Sequence, residues 1–436
     1  MMRKVSVGRQ FARYVSQNIL GTLGISAYIL ADTFFIAQSE GADGIAALNL
    51  VLPVYAVIYA IGAMLGVGSA TRFAIDRAAG ARDAQGGFTH ALIWTGLLSL
   101  PFVAVGILAP DGLMRLLGGD ERIVTVGAPY AQTFLLFTPF FMWNYVFSAF
   151  VRNDGDPSLA MAATLSSSLF NIVMDYVLMF PLGMGMVGAA LATAISPVVG
   201  ILICSLHFLK KSNTIRLCRM KPSLKMAFRA CQVGVASFVG EISSGVTTLV
   251  FNFLLLEIAG SLAVAAYGVV ANVALVATSL FSGISQGAQP LLSDFYGRGE
   301  RASVQRVLRL SVGTALVMAV IVLLTAVLLS DPIVAAFNSE GDAAMASMAR
   351  QGMQLYFIGF LFAGFNIAGT GYLSAIASAR WAMITSLMRG VAAIVVCAVV
   401  LAILLGMTGI WLAFATAEAI TALVMLHAIR SEQRRE

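Results

Sequence analysis

Charged residues are the scarcest class in this sequence. Only 11% of the 436 residues are charged, against about 25% in ordinary soluble domains, whereas 59% are hydrophobic. A soluble chain of this length must cover its surface with polar side chains, and this chain has too few of them. The composition therefore excludes a soluble enzyme or binding domain and indicates a protein dissolved in a lipid bilayer.

Reactive and metal-binding residues are also few. The four cysteines form no C-x-x-C pair, and the three histidines have no partner at metal-ligand spacing, which excludes a disulfide framework and a zinc site. There is no P-loop, and GMGMVG at 183–188 matches a dinucleotide motif without the strand that should precede it. The net charge of +6 comes from basic residues that flank apolar runs. We therefore expect no cofactor, no use of ATP and no nucleic-acid partner.

Long apolar runs fill most of the sequence. A helix needs about 20 residues to cross the hydrocarbon core of a bilayer. Runs of sufficient length lie at 13–37, 46–70, 89–109, 124–150, 160–181, 187–209, 230–256, 262–292, 308–330, 351–376, 382–404 and 409–428. They predict an all-α polytopic membrane protein of about 12 transmembrane helices, which we number as predicted spans 1 to 12.

Lysine and arginine fall almost entirely in alternate loops. When the loops are assigned alternately to two sides, 23 of the 27 basic residues lie on the side of the N-terminus and three on the other, with Arg389 inside a span. Basic loops stay in the cytoplasm. This asymmetry predicts a multi-pass protein of the inner (plasma) membrane with both termini cytoplasmic.

The two halves of the sequence resemble each other. The loop after predicted span 2 and the loop after predicted span 8 share a glycine, Gly80 and Gly297, and GAALAT (188–193) resembles GIWLAF (409–414). Because both halves begin on the same side, the repeats are parallel. We predict an N-lobe over 1–209, a basic cytoplasmic connector over 210–229 and a C-lobe over 230–436.

Predicted span 5 has a stripe of polar side chains. Ser168, Asn171 and Asp175 follow Thr164 in steps of four, three and four residues, which places all four on one helix face. A second intramembrane carboxylate, Asp32, lies in predicted span 1. Carboxylate and amide oxygens bind Na⁺, and a close carboxyl pair also binds a proton. The sequence predicts a cation site here, and the alternative is a polar network that only ties helices together.

Other intramembrane polar residues lie in the second half. Glu241 and Asn252 share a face of predicted span 7, Asn366 lies in span 10, Arg389 in span 11 and Glu418 in span 12. Charges inside a bilayer are expensive, so they are candidates for function. Glu241 either binds a proton or cationic substrate or pairs with Arg389. Asn366 lines a cavity or contacts helices, and Glu418 either ties helices or functions in transport.

Several motifs, in order along the chain, carry a resemblance to a known family. They are ADTFFIAQ around Asp32, DRAAGARDA (76–84) with its counterpart FYGRGERAS (295–303), RNDGDPS (152–158), NIVMDYVLMF (171–180) and GMGMVGAALAT (183–193). With them the chain resembles the multidrug and toxic-compound extrusion (MATE) transporters. The resemblance implies two six-helix lobes that form a V. It also implies export of cationic, amphipathic compounds by antiport with H⁺ or Na⁺, by single chains.

The resemblance also implies a particular cation site. Family members use an Asp of the first helix, an Asn and an Asp four apart on the fifth, and a Thr on the sixth, which match Asp32, Asn171, Asp175 and Thr193 here. These four residues are the expected ligands of H⁺ or Na⁺. The sequence departs from some members in having no proline in the first half of predicted span 1, and Asn366 where they have an Asp.

Two other functions compete with an antiporter. A flippase for lipid-linked saccharides shares this architecture, but it needs several intramembrane Arg or Lys residues for phosphates, and only Arg389 qualifies. A membrane-embedded transferase needs an acidic metal motif or a His/Asp pair near the interface, and neither is visible in the sequence. We therefore expect a secondary transporter and no enzyme activity.

Overall fold

The computed structural model describes residues 6–81, 86–338 and 342–435, apart from the side chains of Ala42 and Arg435. Within these residues helices are the only regular secondary structure. The basic residues Arg3 and Lys4 and the end of the first loop motif, 82–84, lie outside the described part.

The described residues of the first half form eight α-helices. The first helical stretch, Val7–Ala78, is 72 residues long, and a straight helix of that length would measure about 110 Å, several times the hydrocarbon thickness. It breaks at Gly41, where φ is 62° and ψ is −143°. The helices are α1 (Val7–Gly41), α2 (Asp43–Ala78), α3 (Gly87–Leu108), α4 (Pro110–Leu116), α5 (Glu121–Leu136), α6 (Thr138–Asn153), α7 (Pro157–Met179) and α8 (Gly185–Ser205).

The second half begins after a connector without helix. Its helices are α9 (Leu224–Gly297), α10 (Arg301–Leu328), α11 (Ser330–Phe337), α12 (Ala343–Tyr356), α13 (Phe360–Ala375), α14 (Ala379–Leu387) and α15 (Ala393–Arg435). α9 breaks at Gly260, with φ 75°, and α15 breaks at Gly406, with φ 60°. A π-helical turn, Met388–Ala392, joins α14 to α15.

The predicted spans are present as helices. By length and apolar composition, nine helical segments of the described chain are able to cross a membrane, or ten when the bent pair α5 and α6 is one span. Dividing the two longest segments at Gly260 and Gly406 gives twelve spans. Predicted span 4 is the bent one: α5 and α6 meet at 47°, where Pro139 removes a backbone donor from the helix. The all-α, multi-pass fold is confirmed.

The internal repeat is visible in the backbone turns. Gly41 and Gly260 break the first helical stretch of each half 219 positions apart, and Gly185 and Gly406 precede the last span of each half 221 apart, all four with positive φ. Only glycine adopts such angles without strain. Gly80 has φ 73° and its true counterpart is Gly299, with φ 71° and also 219 positions away. The pairing of Gly80 with Gly297 from the sequence is therefore wrong by two residues.

The chain divides by its internal contacts into two compact units. The first, which we call the Asp32 unit, contains Leu20–Glu241 and Ser293–Gly299. The second, the Glu418 unit, contains Met1–Ile19, Ile242–Leu292 and Glu300–Glu436. This division follows contacts rather than chain order, and the lobes over 1–209 and 230–436 with their connector stay a prediction.

Candidate functional site

The candidate cation ligands meet in the interior of the Asp32 unit. Asp32 lies on α1, Asn171 and Asp175 on α7, and Thr193 on α8. Their exposed fractions are 8%, 1%, 0% and 6%, so all four are buried. The resemblance thus selected residues that three different helices place together.

The start of α7 sets the direction of its polar stripe. The Asp156 side chain accepts a hydrogen bond from the Leu159 backbone N–H at 3.3 Å, and Pro157 occupies the first turn. From this start Ser168 as well as the two ligands of α7 falls on the buried face, while Leu169 and Val173 on the opposite face are 63% and 50% exposed. The prediction of one polar helix face is confirmed.

Glycines allow the three helices to approach closely. A Cβ on Gly24 of α1 would lie 2.8 Å from the Leu165 side chain and 3.5 Å from Ser168 Oγ. A Cβ on Gly188 of α8 would lie 2.9 Å from the backbone carbon of Leu178 on α7. Because these positions lack a side chain, α1 and α8 pack against α7 at the depth where the ligands project.

The cluster has more hydrogen-bond acceptors than donors. Asn171 Nδ2 donates to Thr193 Oγ1 at 3.2 Å. Asn171 Oδ1, both carboxyl oxygens of Asp175 and Oδ1 of Asp32 are buried and accept no hydrogen bond within the described residues. The Asp32 and Asp175 carboxyl groups are close neighbours. Buried acceptors of this kind need a partner, and carboxylates at close range need a positive charge.

The donor set fits a small hard cation. The cluster offers carboxylate, amide and hydroxyl oxygens, which are the ligand types of alkali and alkaline-earth ions. Among residues 6–81, 86–338 and 342–435 no three His, Cys, Asp or Glu side chains group as metal ligands. The arrangement therefore suits a proton or a monovalent ion such as Na⁺ and offers too few soft ligands for a transition metal.

Tyrosines near this cluster were missed by the sequence reasoning. Tyr28 lies one turn before Asp32 and is a neighbour of Tyr59, and the Tyr55 and Tyr130 hydroxyls are 2.8 Å apart. The Tyr59 and Tyr145 rings have centroids 5.9 Å apart. The spacing of Tyr28 and Asp32 on one helix face was the available signal, but a tyrosine in an apolar span looks like an ordinary packing residue.

Glu241 joins this aromatic group. Tyr145 Oη donates to Glu241 Oε1 at 3.0 Å, and both side chains are half-buried. α9 reaches this place by a very close crossing, since a Cβ on Gly234 would lie 1.9 Å from the Met64 carbonyl oxygen. The Asp32 unit therefore carries a half-buried carboxylate beside tyrosine rings as well as its buried cluster.

The other weaker candidates belong to the Glu418 unit. Asn252 lies half-buried on α9. Arg389 Nε is 2.7 Å from Glu418 Oε1, and Asn366 Nδ2 donates to Glu418 Oε2 at 2.7 Å. The alternative in which Arg389 pairs with Glu241 is therefore wrong: each of these two residues has a different partner.

Comparison with known proteins identifies the family. A family model described as MatE matches residues 19–177 and 236–399. Multidrug export protein MepA of Staphylococcus saprophyticus is 29% identical over 428 residues, covering 97% of this chain and 93% of that protein. MepA of Staphylococcus aureus strain MRSA252 is 28% identical over 415 residues, covering 94% and 90%.

Solved structures share the fold. An outward-facing multidrug resistance MATE family transporter of the MOP superfamily superposes with a TM-score of 0.91 at 22% identity, covering 98% of this chain and 96% of that one. A MOP superfamily transporter from Pyrococcus furiosus superposes with a TM-score of 0.90 at 21% identity, covering 98% and 96%. At these identities the structures support the fold, and the family model and the relatives carry the assignment. This chain therefore belongs to the MATE family of efflux transporters and is a secondary transporter rather than an enzyme.

Proposed function

We propose that this protein exports cationic, amphipathic compounds from the cell in exchange for H⁺ or Na⁺, working as a single chain in the inner (plasma) membrane with both termini in the cytoplasm. It needs no cofactor and no ATP. The observation that carries the coupling part of the proposal is the buried cluster of Asp32, Asn171, Asp175 and Thr193. In this cluster Asn171 Oδ1, both Asp175 carboxyl oxygens and Asp32 Oδ1 accept no hydrogen bond within the described residues.

The coupling cation binds where these oxygens converge. With the site empty, two neighbouring carboxyl groups are buried without a positive charge, which is an unfavourable state. A proton or Na⁺ from outside relieves it by bridging α1 to α7, and Thr193 holds the Asn171 amide in place from α8. The cation binds more tightly to the conformation in which it bridges α1 and α7 than to the conformation in which these helices are apart. Its binding therefore shifts the population toward the bridged conformation, and such a difference in affinity is required for coupling.

The substrate class follows from the aromatic group and from the relatives. Tyr28, Tyr59 and Tyr145 with Glu241 combine ring faces with one carboxylate, and such groups attract organic cations through cation–π and charge interactions. The similar MepA proteins are multidrug export proteins. Binding of the coupling cation lowers the negative charge of the unit and thereby favours release of a cationic drug.

Transport by reconstituted protein tests the proposal. Efflux of a fluorescent organic cation from proteoliposomes is measured under an imposed pH gradient and, separately, under a Na⁺ gradient. We expect transport under one of the two, and a loss to the level of protein-free vesicles for Asp32→Asn. Asp111→Asn, which neutralises an exposed carboxylate of α4, is the matched control and keeps transport.

Two outcomes contradict the proposal. Absence of transport under both gradients excludes cation-driven drug export and favours the flippase alternative. Transport that persists in both Asp32→Asn and Asp175→Asn shows that coupling occurs elsewhere in the chain.

A further inference from the structure

The Glu418 unit contains a buried charge cluster of its own, which the proposed transport mechanism does not use. Glu418 is 2% exposed. Its Oε1 accepts from Arg389 Nε at 2.7 Å and its Oε2 from Asn366 Nδ2 at 2.7 Å. Asn366 Nδ2 also donates to the Glu418 backbone carbonyl at 2.8 Å. Three helical segments thus meet at one carboxylate.

The backbone is specialised where it supplies the guanidinium. Arg389 lies in the π-helical turn Met388–Ala392, between α14 and α15. A π-turn adds a residue to a helix without breaking it, and such turns occur frequently at functional sites. The Arg389 side chain is 25% exposed, while the Glu418 side chain is 2% exposed, so the guanidinium reaches inward to a carboxylate that water does not solvate.

The oxygen atoms at the Glu418 carboxylate and its neighbour Asn366 are those of a cation site. Asn366 is fully buried, and its Oδ1 accepts no hydrogen bond within the described residues. The cluster thus offers two carboxylate oxygens of Glu418 and one amide oxygen. A carboxylate with a neighbouring amide is also the core of the site in the Asp32 unit, and it suits hard cations.

We propose that Glu418 and Asn366 form a second cation site whose permanent occupant is the guanidinium of Arg389. Arginine stays charged at every physiological pH and is tethered to the chain. The cluster of Glu418, Asn366 and Arg389 therefore keeps a constant charge and binds neither H⁺ nor Na⁺ from solution. Resting on the proposed function, this restricts the exchange of the coupling cation to the Asp32 unit.

Removing the guanidinium should convert the cluster into a site for a mobile cation. The test uses full-length protein carrying Asp32→Asn and Asp175→Asn, so that the proposed site in the Asp32 unit has no carboxylate to bind a cation. Arg389→Met is then added to this protein. Thermal unfolding is measured in NaCl against choline chloride of equal ionic strength, and at acidic against alkaline pH. We expect Na⁺ or acid to raise the unfolding midpoint of the Arg389→Met protein by several degrees, because a ligand that binds only the folded state stabilises it.

Matched variants show whether Glu418 is the ligand. Adding Glu418→Gln to Arg389→Met should abolish the cation response, and Arg389→Lys, which keeps a tethered charge, should show none. A response that survives Glu418→Gln, or an Arg389→Met protein that folds and ignores both Na⁺ and pH, overturns the proposal.

Folding yield decides the matter if Arg389→Met does not fold. The proposal then requires that the double variant Arg389→Met/Glu418→Gln folds, because it removes the carboxylate that needed a cation. A double variant that also fails to fold overturns the proposal. All of these measurements are made without transport and without the Asp32 and Asp175 carboxylates, so their failure is distinguishable from failure of the proposed function.

Discussion

The two repeats of this chain share a backbone plan but place different chemistry at matching positions. The shared glycine turns, Gly41 with Gly260 and Gly185 with Gly406, set the offsets at 219 and 221. At these offsets Asp32 corresponds to Phe251 and Thr193 to Phe414. A carboxylate and a hydroxyl of the first repeat are therefore both replaced by phenylalanine in the second.

In the second repeat, aromatic side chains pack at the positions that match Asp32 and Thr193. The Tyr356 and Phe414 rings are stacked with centroids 4.3 Å apart, and the Phe251 and Tyr356 centroids are 5.8 Å apart. Its carboxylate Glu418, which is 2% exposed, is paired with Arg389. Turns with positive φ are kept by backbone sterics, whereas interior side chains are free to diverge as long as they pack. The comparison teaches that two repeats with the same backbone turns can carry a buried polar cluster in one half and an aromatic core at the matching place in the other.

The largest expected stability effect comes from the aromatic core of the second repeat. Phe414→Ala should destabilise the protein by about 3–5 kcal/mol, because it empties a large buried site and removes the stacking partner of Tyr356. Chemical denaturation checks the loss. The same variant, assayed below its unfolding temperature, should still respond to the coupling cation. If the protein folds but no longer responds to the cation, the proposal that the cation binds in the first repeat independently of this aromatic core is wrong.

A smaller effect should appear equally in both repeats. Gly188 and Gly409 begin the last span of each repeat, and an added Cβ would meet the Leu178 backbone carbon at 2.9 Å and the Leu401 carbonyl oxygen at 1.9 Å. Alanine at either position should cost about 1–3 kcal/mol through overpacking. Gly313→Ala, where a Cβ has open space, is the control.

If Gly188→Ala and Gly409→Ala unfold at the same temperature as that control, the close approach is not needed. The last spans of the two repeats would then be related by their sequences and not by a shared need for close packing at this glycine.

A still smaller effect should be specific to the first repeat. Thr193→Val removes the acceptor of the Asn171 amide and should cost about 1 kcal/mol, together with a weaker response to the coupling cation. Thr193→Ser keeps the hydroxyl and should retain both properties. Titration of cation-induced thermal stabilisation measures the change. Equal behaviour of the Val and Ser variants would show that the hydroxyl contributes nothing.

The smallest effect concerns the connector and its dependence on pH. Asp154 lies just after α6, where its oxygens accept from the Thr214 backbone N–H and from His207 Nε2, both at 2.8 Å, and pair with Arg77. Burial raises the pKa of Asp154, but the hydrogen bonds from His207 and Thr214 and the charge of Arg77 outweigh it, so the pKa lies below its ordinary value.

The sign of the pH effect follows from that lowered pKa. The ionised Asp154 carboxylate holds the connector through Thr214 and His207. Its contribution to stability is complete above the pKa of an unfolded aspartate, and it is lost as the pH falls through the lower pKa of the folded state. Asp154→Asn should mimic the acid form at neutral pH and speed trypsin cleavage at the exposed Lys211 and Arg216 of the connector. In the second repeat Ile376 occupies the corresponding turn, so Ile376→Asn should leave that cleavage unchanged. Equal cleavage of wild type and Asp154→Asn would contradict the role of Asp154.

Much of the fold was predictable because a bilayer restricts it. Apolar runs of about 20 residues leave few alternatives to a spanning helix, so the twelve predicted spans were found with shifted ends. The 47° bend between α5 and α6 was missed because a proline in an apolar run does not reveal its angle. Thr164, Ser168, Asn171 and Asp175 were placed on one face correctly, since helical periodicity is local.

The sequence by itself determined the all-helical fold, the repeat and the polar face of α7, because hydropathy and spacing act within one helix. Tertiary structure alone decided which groups meet: Asp32 with Asp175, Asn171 with Thr193, Tyr145 with Glu241, and Arg389 with Glu418. These pairs join residues 22 to 143 positions apart, and no periodicity within a helix can report them. The physical reason is that partners are selected by packing between helices, which depends on small residues and turn angles across the unit.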